Sequence, residues 1–159
     1  MGGHNYLDPN LIKGLIQKLK GTIVECNTAY PGKRMTSSDH WETIKAHGFT
    51  EIAPCDIMDE EGEIEIPVHG VEHLQNKNIV GSHIQNYDSM LVLSHFKGHA
   101  MGGFGGALKN MSIGVASSNG KAWIHSGVSK AFSGYFEGIG DGKFLNRGLK
   151  NCEIKKYEY

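Results

Sequence analysis

The chain has 159 residues, a formal net charge of −1, 39% hydrophobic residues and 21% charged residues, a composition typical of one globular domain. The near-zero charge argues against a nucleic-acid or membrane partner, and no apolar run reaches the roughly 18 residues of a membrane span. The first ten residues do not resemble a signal peptide, and Cys26, Cys55 and Cys152 are too scattered for a disulfide framework, so we expect a cytoplasmic protein.

Helix and strand signals alternate in the first fifty residues. Asp8 and Pro9 are typical of a helix start, and apolar residues then recur at helical spacing. A β-branched run follows, and Ser37 or Ser38 can cap a second amphipathic segment. The predicted helix, strand and helix cover residues 9–20, 22–26 and 39–47.

Three further strands are predicted in the middle of the chain. Residues 49–55 form a second strand-like run, and EIEIPV at 63–68 alternates around Pro67 as an edge strand does. An acidic turn separates these two segments, so we predict a β-hairpin insertion near residues 51–68. Residues 88–94 carry the strongest strand signal of the chain.

This order of elements predicts an α/β fold with a mostly parallel sheet flanked by helices. Ligands of open α/β sheets bind outside the carboxyl ends of the strands. The three best predicted strands all end in polar side chains that can bind or catalyse: Glu25, Cys26 and Asn27; Cys55 and Asp56; Ser94 and His95. If the strands are parallel neighbours, these side chains lie along one edge of the sheet.

A glycine-rich stretch at 91–114 contains more side chains able to bind or catalyse than any other part of the chain. Its sequence is LVLSHFKGHAMGGFGGALKNMSIG. We predict a strand, a loop and a helix start, and free N–H groups at such a start suit a phosphate or a carboxylate. Lys97 or Lys109 would add positive charge. The predicted cofactor-binding residues are Gly102, Gly103, Gly105, Gly106 and Asn110. The spacing matches neither a Walker A loop nor a dinucleotide fingerprint, and close helix–sheet packing would also explain the glycines.

Histidines in the same stretch suggest two further chemistries. His95 and His99 are four residues apart, which would place both on one face of a helix as metal ligands, although Gly98 argues against a regular helix there. Histidines that satisfy turn hydrogen bonds are the simpler interpretation. Alternatively, His95 near Asp56 would move a proton close to neutral pH.

Beyond the glycines the periodicity changes. One helical stripe contains Met101, Phe104, Leu108, Met111 and Val115. Residues 118–120 predict a turn, and residues 121–126 fit a strand or a loop. Residues 128–159 show little periodicity, so we predict an α/β domain over residues 1–127 and an atypical C-terminal tail over 128–159.

Four segments resemble the family called domain of unknown function 362: GTIVECNTAY, HGFTEIAPCDIMDEEGEIEIPV, NYDSMLVLSHFKGH and HFKGHAMGGFGGALKNMSIGVASSNGKAWIHS. The resemblance runs from about residue 5 to about residue 126. Members are often labelled iron–sulfur centre proteins, and many carry a ferredoxin-like module with clustered cysteines. The resemblance therefore implies an iron–sulfur cofactor, a redox role and a ferredoxin-like partner, although this chain has no C-x-x-C pair for a cluster.

Relatives also begin with an additional strand and continue past the segment that matches His125 and Ser126, so we expect a partial member of the family. An incomplete sheet leaves an open edge, which predicts self-association.

Three hypotheses follow for function. The first is a metal- or iron–sulfur-associated, redox-linked domain. The second is an enzyme in which Lys97 or Lys109 binds a small anionic substrate and His95 moves a proton, and the third is a truncated, inactive chain.

Overall fold

A computed structural model describes residues 6–70, 72–94, 96–99 and 103–126 of the chain. His95 and Gly102 lie outside the described residues, as does the whole predicted tail at 128–159. The division of the chain at residue 127 therefore stays a prediction.

The first two helices form where local signals predict them. Helix α1 spans Pro9–Leu19, and the Asp8 side chain caps it by accepting the Asn10 N–H at 2.9 Å. Helix α2 spans Ser37–Ala46, but its cap is Thr36, which accepts the Asp39 N–H, rather than either serine. Leucines 11, 15 and 19 of α1 remain exposed.

The first two strands form a parallel pair. Strand β1 spans Ile23–Glu25 and strand β2 spans Cys55–Ile57, with Ile23 opposite Cys55. The prediction of a strand over residues 49–55 is wrong in its bounds, because a short 3₁₀ helix, Phe49–Glu51, starts that segment. Cys55 and Asp56 therefore lie at the start of β2 and within it, and not at its carboxyl end.

Strand β3, Glu63–Pro67, pairs antiparallel with β4, Lys77–Gly81. The predicted hairpin near residues 51–68 is therefore wrong, since β2 uses its backbone hydrogen bonds on β1 and β3 finds its partner later in the chain. A short 3₁₀ helix, Ser82–Asn86, follows β4 directly.

The apolar segment at 88–94 contains no strand, contrary to prediction. Its leucines are largely exposed, and no described strand pairs with it, so hydrophobicity without a partner did not produce a strand. The glycines instead form an antiparallel pair of short strands, β5 (Lys97–His99) and β6 (Gly103–Gly105).

Two helices follow the glycines. Helix α3 spans Ala107–Val115, so Phe104 precedes it; within the helix, Leu108 and Met111 are exposed and Val115 is buried. Helix α4 spans Ser118–Ser126, and the predictions of a turn at 118–120 and of a strand or loop at 121–126 are wrong. Hydrogen bonds to the carboxylates of Asp59 and Glu63, which are distant in the chain, stabilise this helix start.

The core joins the ends of β1 and β2 to β3, β4 and α3. Cys26, Met58, Val80 and Val115 are buried together, and Ile64, Ile66 and Tyr87 pack against them. Helices and both kinds of strand pairing confirm an α/β fold. They do not confirm a mostly parallel sheet, because one described strand pair is parallel and two are antiparallel.

Candidate functional site

The start of α3 is open on its N-terminal side. Its cap residue, Gly106, is extended, no side chain caps the helix within the described part of the chain, and its first turn contains no acidic residue. The Asn110 N–H donates to the Gly106 carbonyl at 2.9 Å, which is the first regular bond of the helix. The N–H groups before it are those that a helix start offers to an anion.

Two lysines approach this helix start. Strand pairing places Lys97 opposite Gly105, and Lys109 lies in the first turn of α3. A Cβ atom at Gly105 would lie 3.4 Å from Lys109 Cδ and 4.0 Å from Lys97 Cγ, so both side chains pass beside this glycine. The structure thus brings together four predicted residues: Lys97, Gly105, Gly106 and Lys109.

The other predicted residues of this stretch lie in the β5–β6 hairpin, in α3 or outside the described residues. Gly103 pairs with His99 in the β5–β6 hairpin, and Asn110 lies one turn into α3. His95 lies outside the described residues, so the metal pair of His95 and His99 stays a prediction. Within the described ranges, no three or more His, Cys, Asp or Glu side chains are grouped so that they could hold a metal ion.

The carboxyl ends of β1 and β2 form a second polar region, as expected of parallel neighbours, but its central residue was not predicted. Lys121 of α4 is 5% exposed and its ammonium donates three hydrogen bonds to backbone carbonyls. The acceptors are Cys26 at 3.1 Å, Asn27 at 2.8 Å and Ala116 at 2.8 Å. Burial lowers the pKa of Lys121, and the three carbonyls partly offset the loss of water.

Ser117 caps α4 by accepting the Gly120 N–H at 2.9 Å, and two carboxylates of the chain itself bind the same helix start. Asp59 accepts the N–H groups of Asn27 and Ser118, each at 2.8 Å, and so joins the end of β1 to the first residue of the helix. Glu63 accepts hydrogen bonds from the Ser117 hydroxyl at 2.6 Å and from the side-chain amide of Asn119 at 2.8 Å. The positive end of α4 therefore already has its anions, and this region is a structural junction.

The cysteine and the histidine at this junction are held neutral. Cys26 is fully buried, its thiol donates to the Val115 carbonyl at 3.4 Å, and burial raises its pKa to about 12. The His40 ring contacts Asn27 Oδ1 at 3.1 Å, and burial lowers its pKa to about 4. A thiol with so high a pKa is a poor metal ligand, since metals bind the thiolate.

A third polar group surrounds Asp56, but its histidine is not the predicted one. His83 Nδ1 lies 2.8 Å from Asp56 Oδ1, and the Tyr87 hydroxyl donates to Asp56 Oδ2 at 2.7 Å. His83 lies in the 3₁₀ helix Ser82–Asn86 and Tyr87 is the extended residue that ends it, so no regular spacing in the sequence indicated that both would reach Asp56. His95, the predicted partner of Asp56, lies outside the described residues.

A sequence model of the family described as Domain of unknown function (DUF362) matches residues 2–149. The chain belongs to the DUF362 family. This match confirms the resemblance drawn from the four segments, and it assigns no activity. No curated protein and no solved structure matches this DUF362 chain. Within the described residues, none of its helices is both long enough and apolar enough to cross a membrane.

Proposed function

We propose that this DUF362 chain binds a small molecule through an anionic group, a phosphate or a carboxylate, at the start of α3. The observation that carries the proposal is the approach of Lys97 and Lys109 to Gly105, immediately before a helix with no acidic residue in its first turn. Two ammonium groups and the N-terminal N–H groups of the helix would then face the same anion.

Several predicted residues have roles in this proposal. Gly106, which has no side chain and is partly exposed, would let a ligand approach the backbone, and the proposal also includes Gly102, Gly103 and Gly105 from the same stretch of sequence. Asn110 would contact the rest of the ligand. For an enzyme, His95 is the proposed proton carrier and the two lysines are the proposed ligands of the substrate anion.

Inorganic phosphate is the first probe, added to ¹⁵N-labelled protein at constant ionic strength. We expect saturable shifts of the Gly106, Ala107 and Leu108 amide signals. The double variant Lys97→Gln with Lys109→Gln should weaken binding by at least about tenfold, because each lost charge-assisted contact contributes on the order of 1 kcal/mol. Lys18→Gln, an exposed lysine on α1, is the matched control and should bind as the unmodified chain does.

An unchanged phosphate affinity in the double variant would contradict the proposal, as would shifts spread over all exposed amides. Because the probe carries only the anionic group, its affinity is expected to be weak, and comparison between variants is the decisive quantity.

A metal- or iron–sulfur-associated, redox-linked role is a second proposal. The family resemblance and the spacing of His95 and His99 support it. The described cysteines do not fit a cluster, since Cys26 is a buried thiol with a high pKa and Cys55 is partly buried beside the Ala53 carbonyl. Elemental analysis of protein purified without oxygen tests this role: stoichiometric metal that is lost on His95→Ala with His99→Ala would support it, and metal-free protein would exclude it.

A ferredoxin-like partner, self-association through an incomplete sheet and a cytoplasmic location also remain predictions. Sedimentation at several protein concentrations tests the predicted self-association directly. A truncated, inactive chain would show neither metal nor phosphate binding.

A further inference from the structure

His83 lies between two carboxylates on different parts of the fold. Its Nδ1 is 2.8 Å from Asp56 Oδ1 on β2, and its Nε2 is 3.3 Å from Glu61 Oε2 in the acidic turn that follows β2. The imidazole and Asp56 are mostly buried, with 17% and 19% of their side chains exposed, whereas Glu61 is 80% exposed.

A neutral imidazole has one N–H donor and one lone pair, so it cannot donate to both carboxylates. Only the imidazolium, with a proton on each nitrogen, satisfies this geometry. We propose that His83 is a pH-sensitive clip: when protonated it binds Glu61 and fastens the acidic turn to β2 and the 3₁₀ helix, and when it loses the Nε2 proton it releases Glu61.

The neighbouring groups determine which proton leaves. Asp56 also accepts the Tyr87 hydroxyl, so both of its oxygens are occupied and it remains the partner of Nδ1–H. Nε2 faces the exposed Glu61 carboxylate at 3.3 Å, so loss of its proton directs a lone pair at that carboxylate. Hydrogen bonding to Asp56, and to a smaller extent Glu61, raises the pKa of His83, which brings the clip toward neutral pH.

The turn that the clip fastens also holds the strand-end junction. Asp59 accepts from Asn27 and Ser118, and Glu60 accepts the Trp41 indole N–H at 2.9 Å. These three hydrogen bonds involve no histidine and persist when His83 is neutral. Release therefore frees the Glu61 side chain, while Gly62 stays attached through its carbonyl, which accepts the Ser82 N–H at 3.0 Å, and Asp59 keeps its partners.

The test is a pH titration from 5 to 9, following the His83 ring and the backbone amides of the turn by NMR. We expect the Glu61 and Gly62 amides to shift with the same midpoint as the His83 ring, above the ordinary value of 6.5. Glu61→Gln should lower the His83 midpoint and remove the linked shift, while Glu51→Gln, an exposed carboxylate of another element, should change neither.

Both named variants replace exposed side chains and should leave the fold intact. Turn amides that do not follow the His83 ring, or a His83 midpoint that Glu61→Gln leaves unchanged, would overturn the proposal. A His83 midpoint at or below 6.5 in the unmodified chain would do so as well.

Discussion

The starts of α3 and α4 are built from the same kinds of residue but differ in the groups of the chain that bind them. Each has a glycine at the start of the helix and a lysine in its first turn or just beyond: Gly106 and Lys109 for α3, Gly120 and Lys121 for α4. At α4 the chain supplies two carboxylates to the helix and three carbonyls to the lysine. At α3 no described side chain caps the helix.

The difference shows that a glycine, a lysine and a helix start do not define a ligand site. What matters is whether the protein supplies the anion itself. The α4 start is satisfied internally and stabilises the fold, whereas no described side chain caps α3, and our proposal assigns the N–H groups and lysines there to an external anion. Substitutions at α4 should therefore affect stability, and equivalent ones at α3 should affect binding.

The largest effect is expected for Gly120→Ala. A Cβ atom at this position would lie 1.8 Å from the Ile79 carbonyl oxygen and 2.9 Å from its carbon, so helix and strand must move apart. We expect a loss of about 4 kcal/mol or more in the free energy of unfolding, measured by urea denaturation. Gly114→Ala in α3 is the control, since nothing lies within 4 Å, and it should stabilise by about 0.5 kcal/mol.

The two lysines provide the most direct comparison. Lys121→Met leaves three buried carbonyls without their donor and should destabilise the chain by about 3 kcal/mol. Lys109→Met should change stability by less than about 0.5 kcal/mol while it weakens phosphate binding. Equal stability losses in urea denaturation for the two variants would show that the α3 start is also a structural junction.

Acid should lower the stability of the fold through His40, which lies on α2 and contacts Asn27 at the structural junction. Because its pKa is lowered to about 4 in the folded chain, the unfolded chain binds the proton more readily below the ordinary value of 6.5. This contribution to stability is complete above pH 6.5 and decreases as the pH falls toward 4, by about 2 kcal/mol at pH 4.5. When the free energy of unfolding, measured by urea denaturation, is plotted against pH over this range, its slope should be shallower for His40→Gln than for the unmodified chain. An identical slope would refute this assignment.

The sequence predicted correctly those elements that are stabilised by residues adjacent in the chain. Asp8 caps α1 and Pro9 occupies its first turn, so that helix was recognisable from adjacent residues. Lys121 was missed because its acceptors Cys26 and Asn27 are 95 and 94 positions away in the chain. The glycine-rich stretch could be proposed as a site because its glycines and lysines are close in sequence, but its antiparallel strand pairing was not predicted. Residues 88–94 show the converse, since their strand signal found no described strand partner.

The smallest effect on stability is expected for Gly105→Ala, and it refines the comparison with Gly120. The added Cβ would meet Lys109 Cδ at 3.4 Å, an ordinary contact with a flexible side chain, so the fold should change by less than about 0.5 kcal/mol. The methyl group would nevertheless occupy space between the two lysines. We expect phosphate binding to weaken by about threefold in the amide titration, and a destabilisation comparable to that of Gly120→Ala would mean that this glycine, too, serves packing rather than ligand access.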